Sequence, residues 1–286
     1  MNYRIDRVEL GSPWQNHIAE VVSEAFESSD PEETFRDLRL TTETRGKRKS
    51  AYFAAIEGDQ LIGFNAFIAH DLSYRGTPVQ AFQSCWTATS SAHRGKKVFQ
   101  NIILHAHEEL SAAGADFIIG WPNPSSEPIF CYKLNYKREE SVKRNVPGLF
   151  AERFFGLAEP GASGIQQNDE QLIELKTHRY GENIFVVQQD DGILWGLLRH
   201  RGQVPYFALG GIHWTRENGA RSLARMMRKK LPFVAYWQIV SEARNSLNPA
   251  IGAFSISTTN PFIWFRLSES APDASFDFFA GIRDVY

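Results

Sequence analysis

Four consecutive residues, Arg94, Gly95, Lys96 and Lys97, stand just ahead of a run whose apolar members Val98, Ile102, Ile103, Ala106 and Leu110 recur at helical spacing. The start of a helix has backbone N–H groups without intrahelical partners and carries the positive end of the macrodipole. Cations crowded there oppose the dipole by about 0.3 kcal/mol or more each, so their placement favours a bound anion. A phosphate is the anion such a loop is suited to hold. A solvated basic turn would use the same residue types, so the surrounding elements have to separate the two readings.

Those elements can be read from periodicity. Residues 16–26 form a first helix, with Ile18, Val21, Val22, Ala25 and Phe26 on one face. Residues 27–50 are polar and include a basic cluster from Arg45 to Lys49; they read as loops or short helices. Residues 52–56 and 61–70 are strand-like runs flanking the turn Glu57, Gly58, Asp59, and a third run at 79–89 follows the turn Arg75, Gly76, Thr77, Pro78. The helix from Val98 ends at Gly114, and residues 116–121 form a short, buried strand of parallel type. Strand, polar loop, helix and strand make a crossover unit, which gathers loop amides and a helix N-terminus at the strand ends. The turn-rich segment Pro122, Asn123, Pro124, Ser125, Ser126 closes it.

The run Ala88, Thr89, Ser90, Ser91, Ala92, His93, Arg94, Gly95, Lys96, Lys97, Val98, Phe99 resembles the coenzyme A loop of GNAT acetyltransferases. That pattern is Arg or Gln, two residues, Gly, one residue, then Gly or Ala. Arg94 and Gly95 align, whereas Lys97 stands at a Gly position and Phe99 at the terminal Gly or Ala. The segment from Trp121 to Tyr136 is similar to a second stretch, found in GNAT proteins associated with polysaccharide and amino-sugar biosynthesis, with Asn135 in place of a Gly. The resemblance implies a mixed α/β (α+β) fold with a mostly antiparallel sheet flanked by helices. It also implies acetyl-CoA, or another acyl-CoA, as co-substrate, with no metal. Trp86, Thr87 and Ala88 would pair through their backbone with the pantetheine arm; Arg94, Gly95, Lys96, Lys97, Val98 and Phe99 would cradle the pyrophosphate. Asn123 would face the splayed end of the next strand. The usual general acid, a tyrosine, falls at Cys131 with Tyr132 beside it, so these two are the acid candidates. His70, Asp71, Gln83 and His93 lie near in element order, and none stands out as a base.

The chain of 286 residues exceeds the usual size of one core, and two domains are expected, 1–150 and 151–286. Ala158 to Gly164 is rich in turn formers and reads as a linker. Beyond it, residues 183–188, 204–209, 233–240 and 263–267 read as strands and 220–230 as a helix bearing Arg221, Arg225, Arg228, Lys229 and Lys230. The segment from Asp190 to Leu198 resembles a stretch downstream of the acetyltransferase domain in the same subgroup. Asn245, Ser246, Leu247, Asn248, Pro249 echoes the turn near Pro128. The second domain is therefore expected to be a smaller, degenerate GNAT-like lobe shaping the acceptor site, without a phosphate loop like that at Arg94.

Composition narrows the partners. Lys and Arg total 31 against 33 for Asp and Glu, which gives no global positive field for nucleic acid. No apolar run approaches the roughly 20 residues that span a bilayer, and Arg4, Asp6, Arg7 and Glu9 interrupt any signal-peptide core. The two cysteines, Cys85 and Cys131, lack metal-ligand spacing and suit a reducing compartment, so a cytoplasmic location is expected. The oligomeric state stays open, a homodimer included. The favoured function is acyl transfer to an amine, with an amino sugar or nucleotide-linked amino sugar as acceptor. A peptide or small-molecule amine, or a non-catalytic coenzyme A-binding module, are the alternatives.

Overall fold

The computed structural model describes residues 2–11, 13–43, 49–155, 164–242, 253, 255–273 and 275–278. Residues 45–48 of the basic cluster, 158–163 of the expected linker and the Asn245 to Pro249 echo lie outside the described residues. The chain divides into two compact units. One comprises residues 1–71, 79–138 and 263–271, the other 72–78, 139–262 and 272–286.

In the first unit the order is β1 (Arg4–Arg7), α1 (Gln15–Ala25), α2 (Pro31–Thr42), β2 (Ala51–Glu57), β3 (Gln60–Tyr74), β4 (Thr77–Thr89), α3 (Val98–Ala112) and β5 (Phe117–Gly120). The strands lie side by side in chain order, β1 to β5. β1 pairs antiparallel with β2 and β2 with β3, while β4 and β5 run parallel as a crossover requires. The end of strand Ser255–Arg266 then adds antiparallel to β5, Ile263 opposite Gly120. α3 buries Val98, Phe99, Ile102, Ile103, Ala106 and Leu110 against Phe53, Phe67, Phe82 and Ile118. Each of the larger side chains among these contributes roughly 1.5–3 kcal/mol of transfer free energy.

α2 lies in the stretch read from sequence as loops or short helices. Its start is nevertheless written in the chain. Asp30 is the N-cap and accepts from the Glu33 N–H at 2.9 Å, Pro31 opens the first turn, and Glu32 and Glu33 meet the positive dipole end. Thr34, Phe35, Leu38, Thr41 and Thr42 make up its buried face, and three of those five are threonines, which hides the hydrophobic period. Thr41 and Thr42 turn their hydroxyls back onto main-chain carbonyls of the preceding turn, satisfying them inside the core.

The second unit contains β6 (Lys137–Pro147) from Glu139 onward, α4 (Ala151–Phe155), β7 (Ile165–Gln166), α5 (Asp169–Tyr180), β8 (Ile184–Gln189), β9 (Gly192–Arg201), β10 (Val204–Trp214), α6 (Gly219–Lys230), β11 (Tyr236–Glu242), the first part of β12 (Ser255–Arg266) and β13 (Phe276–Asp277). Its strands follow the order β6-β11-β10-β9-β8. β8, β9 and β10 pair antiparallel, β10 and β11 pair parallel, and α6 crosses between them. The strand–strand–strand–helix–strand sequence of the first unit is thus repeated. Phe154, Phe155, Phe207, Leu209, Trp237 and Ile239 pack with Leu223, Ala224 and Met227 of α6 to form this unit's core.

Candidate active site

β4 and β5 share only three register pairs, Ala81 with Phe117, Phe82 with Ile118 and Gln83 with Ile119. β5 stops at Gly120, but β4 runs on to Thr89, so its C-terminal stretch continues past the end of its parallel neighbour. Trp86 marks the divergence with φ of 51°, a left-handed backbone that a bulky residue adopts at a cost of roughly 1–2 kcal/mol. Its side chain secures it on the α1 and α2 side. The indole N–H donates to Thr41 Oγ1 at 2.8 Å, and the ring lies 5.2 Å from that of Phe26. Trp86 therefore places its indole in the core while its backbone turns at the divergence. Thr87 hydrogen-bonds Asn65, which also donates to Ser84 Oγ at 3.1 Å, and Ala88 is buried.

The loop after β4 is held from behind by two carboxylates far away in sequence. Glu24 of α1 accepts from the Ser91 N–H at 2.9 Å, and those Ser91 hydrogen bonds hold its carboxyl below the usual range. Glu57, the last residue of β2, meets His93 Nε2 at 3.2 Å, while His93 Nδ1 lies 2.8 Å from Ser90 Oγ. With both ring nitrogens engaged, His93 is a loop anchor. Sequence pointed to neither carboxylate, because each is brought in by tertiary packing alone. Arg94, Gly95, Lys96 and Lys97 are left exposed on the outer side.

Lys97 is the N-cap of α3 with φ of 62°, and Gly95 has φ of 77°. The Gly position of the coenzyme A pattern thus keeps its left-handed backbone although lysine occupies it. Asn101 N–H donates to Lys97 O at 3.0 Å, so the amides of Val98, Phe99 and Gln100 precede the first intrahelical donor. Phe99, at the terminal Gly or Ala position, does not face solvent. It is buried and packs edge-on against Phe130 at 5.2 Å.

Asn123 follows β5 and is exposed, with its side chain turned onto its own segment. Its Oδ1 accepts from the N–H groups of Ser125 at 3.0 Å and Ser126 at 2.9 Å, opening the helical segment that ends in a π turn, Ile129–Lys133. Cys131 sits half-buried in that turn, and burial with the nearby Glu127 pushes its thiol up, which keeps it protonated at neutral pH. Tyr132 is 80% exposed. Asn135 has φ of 58°, so the second Gly-to-other replacement also preserves a left-handed residue, here one of a type that tolerates it. On the other side of β4, His70 Nε2 lies 3.0 Å from Gln83 Oε1, both side chains buried. His105 packs on Phe53 and His107 on Phe265 and Tyr136, within the core.

This geometry agrees with what comparison finds. Residues 14–138 match the model of the acetyltransferase (GNAT) domain. No curated protein sequence matches the chain. Among solved structures, a conserved protein of Enterococcus faecalis described as a probable N-acyltransferase is similar at 11% identity and TM-score 0.63, over 93% of this chain and 73% of that one. A GCN5-related N-acetyltransferase from Kribbella flavida gives 11% identity and TM-score 0.64, over 92% and 71%. A GCN5-related glucosamine N-acetyltransferase region of a fungal multi-domain β-N-acetylglucosaminidase gives 14% and 0.53, over 92% and 38%. At these identities the structural likeness is one of fold. The parallel β4–β5 splay, the left-handed N-cap of α3 and the family match together establish that residues 14–138 of this chain form a GNAT acetyltransferase domain.

Proposed function

We propose that the chain transfers an acetyl group from acetyl-CoA to the amine of an amino sugar or nucleotide-linked amino sugar. The observation that carries the donor half is the exposed Arg94–Lys97 loop, anchored by Glu24 and Glu57, opening a helix whose first amides precede any intrahelical donor. Arg94, Lys96 and Lys97 supply charge to the pyrophosphate and the amides of Val98, Phe99 and Gln100 supply directed hydrogen bonds. The backbone of Trp86, Thr87 and Ala88 runs along the pantetheine arm.

In the reaction the neutral amine nitrogen attacks the thioester carbonyl carbon. The carbon–sulfur bond then breaks, the amine proton passes to solvent water, and the departing thiolate takes a proton. Cys131 is the donor we favour, because its thiol is held protonated and regains its proton from water. The acceptor rests on the resemblance of the Trp121 to Tyr136 segment, and one fold relative is described as a glucosamine N-acetyltransferase region.

Two measurements test the reading. Acetyl-CoA at a hundred times its dissociation constant should raise stability by about 2.7 kcal/mol, read as a rise in Tm; no shift at saturating ligand would overturn the donor assignment. Thiol release from acetyl-CoA across amino sugars, nucleotide amino sugars and peptides should be fastest with a sugar amine. A peptide preference would move the acceptor, and ligand binding without release would leave a coenzyme A-binding module.

A further inference from the structure

At one end of the second unit's sheet, two tight turns are fastened backbone to backbone. The turn Gly148–Phe150 follows β6, and the loop 231–235 joins α6 to β11. Gly148 N–H donates to Ala235 O at 3.0 Å, and a Cβ on Gly148 would lie 2.5 Å from Val234 O, so only glycine allows the turns to meet this closely. Leu231 and Val234 point inward and are buried, whereas Leu149, Phe150 and Phe233 point outward, 78%, 47% and 56% exposed. Between the two turns opens a groove of about 560 Å³ whose lining includes Leu149, Pro232, Trp237, Arg228 and Lys229.

Single exposed apolar residues are ordinary, but three large ones gathered on neighbouring turns mark an interaction surface. The charge beside them says what kind. α6 ends in Arg228, Lys229 and Lys230, and the helix carries Arg221 and Arg225 with no acidic residue. Glu152 of α4 takes Arg225 at 3.0 Å and Arg228 at 2.7 Å, leaving Lys229 and Lys230 as net positive charge, Lys230 with its Nζ also donating to Val186 O at 3.1 Å. Protruding aromatic and leucine tips flanked by lysines match a lipid interface, with apolar tips entering the acyl boundary and cations meeting anionic headgroups. No helix among the described residues is long and apolar enough to cross a membrane, so the contact is peripheral.

We propose that Leu149, Phe150 and Phe233, with Lys229 and Lys230, form a docking surface for an anionic phospholipid membrane. It stands on the second unit alone and is independent of the acyl-transfer reading. The full chain should co-sediment with vesicles of phosphatidylcholine and phosphatidylglycerol at 50 mM salt, bind vesicles of phosphatidylcholine alone at least tenfold more weakly, and be released by 500 mM salt. The double variant Leu149→Ser/Phe233→Ser and the double variant Lys229→Glu/Lys230→Glu should each weaken anionic-vesicle binding at least tenfold, with Tm and its acetyl-CoA shift unchanged to show a folded chain. Wild-type protein that ignores anionic vesicles overturns the proposal, as does either folded variant binding like wild type. A wild-type dimer by light scattering that Leu149→Ser/Phe233→Ser converts to monomer would assign the surface to a second copy and overturn it as well.

Discussion

The two units each contain a strand, a loop, a helix and a parallel strand, and the two crossovers correspond closely in backbone. β4 and β5 share three parallel pairs, and so do β10 and β11, from Tyr206 with Tyr236 to Ala208 with Gln238. Each first strand is irregular before its end, at Trp86 in β4 and between Leu209 and Gly211 in β10. Each helix is preceded by a non-glycine N-cap at φ of 62°, Lys97 in one and Asn218 in the other. The side chains diverge. The first loop exposes Arg94, Lys96 and Lys97 beside Gly95, whereas the second is short, offsets Arg216 with Glu217, and is tied by Thr215 N–H to Asp191 O at 2.9 Å. At the irregularity of β10, Trp195 and Asp169 press on Gly210 and Gly211 so closely that a Cβ on Gly211 would sit 2.0 Å from Asp169 Oδ1. Shared topology therefore supplies helix amides in both places, and the charge and freedom of the loop decide which of them suits a pyrophosphate.

The largest effect that would break this contrast is charge reversal in the loops. Arg94→Glu/Lys96→Glu should remove two charge-assisted contacts, about 3 kcal/mol or more, and weaken acetyl-CoA binding at least a hundredfold by calorimetry. Arg216→Glu/Arg221→Glu should leave it within twofold. Equal losses would mean that both crossovers bind the donor.

Acid titration should separate the units by sign. Burial pushes His107, in the first unit, down to about 4, so its neutral form is favoured on folding; its contribution is present above the unfolded value near 6.5 and lost as pH falls through 4. Burial pushes Asp277, in the second unit, up to about 6; its contribution is full below about 4 and lost as pH rises through 6. Each slope is worth on the order of 2 kcal/mol and in wild type they oppose. Urea unfolding from pH 4 to 7 should show that His107→Gln removes the loss at low pH and Asp277→Asn removes the loss at higher pH.

The smallest effect concerns the N-caps. Lys97→Gly should stabilise the unliganded protein by about 1 kcal/mol, because glycine takes a left-handed φ without a Cβ penalty. Asn218→Gly should give only a few tenths, roughly 0.3 kcal/mol, since asparagine tolerates that region. Equal gains in Tm would show that residue type does not set the strain.

How much of this was legible in the sequence varies with what carries it. The hairpin of β2 and β3, the helix at Val98 and the loop at Arg94 were readable because periodicity and turn residues are local. α2 was read only as loops or short helices because threonines fill its buried face, although Asp30, Pro31 and Glu33 announced its start. α5 was missed behind a similar signal, Asn168 capping the Gln171 N–H, because Asp169, Leu172 and Lys176 form a mostly polar buried set. β6 was missed since its charged residues alternate with few apolar ones. The repeat of the crossover at α6 was anticipated in outline, as strands at 204–209 and 233–240 around a helix at 220–230 in a degenerate lobe, because the α6 face is amphipathic and no Arg94-type loop recurs before it. Glu24 and Glu57 could not have been found, being 67 and 36 residues from their partners.

The π turn at Ile129–Lys133 has an evolutionary consequence. Such a turn holds one residue more than an α turn, so losing a single residue there would restore a regular helix and rotate the side chains beyond it by about 100°. The register of Cys131 and Tyr132, both inside the turn, is thus governed by chain length as much as by residue identity.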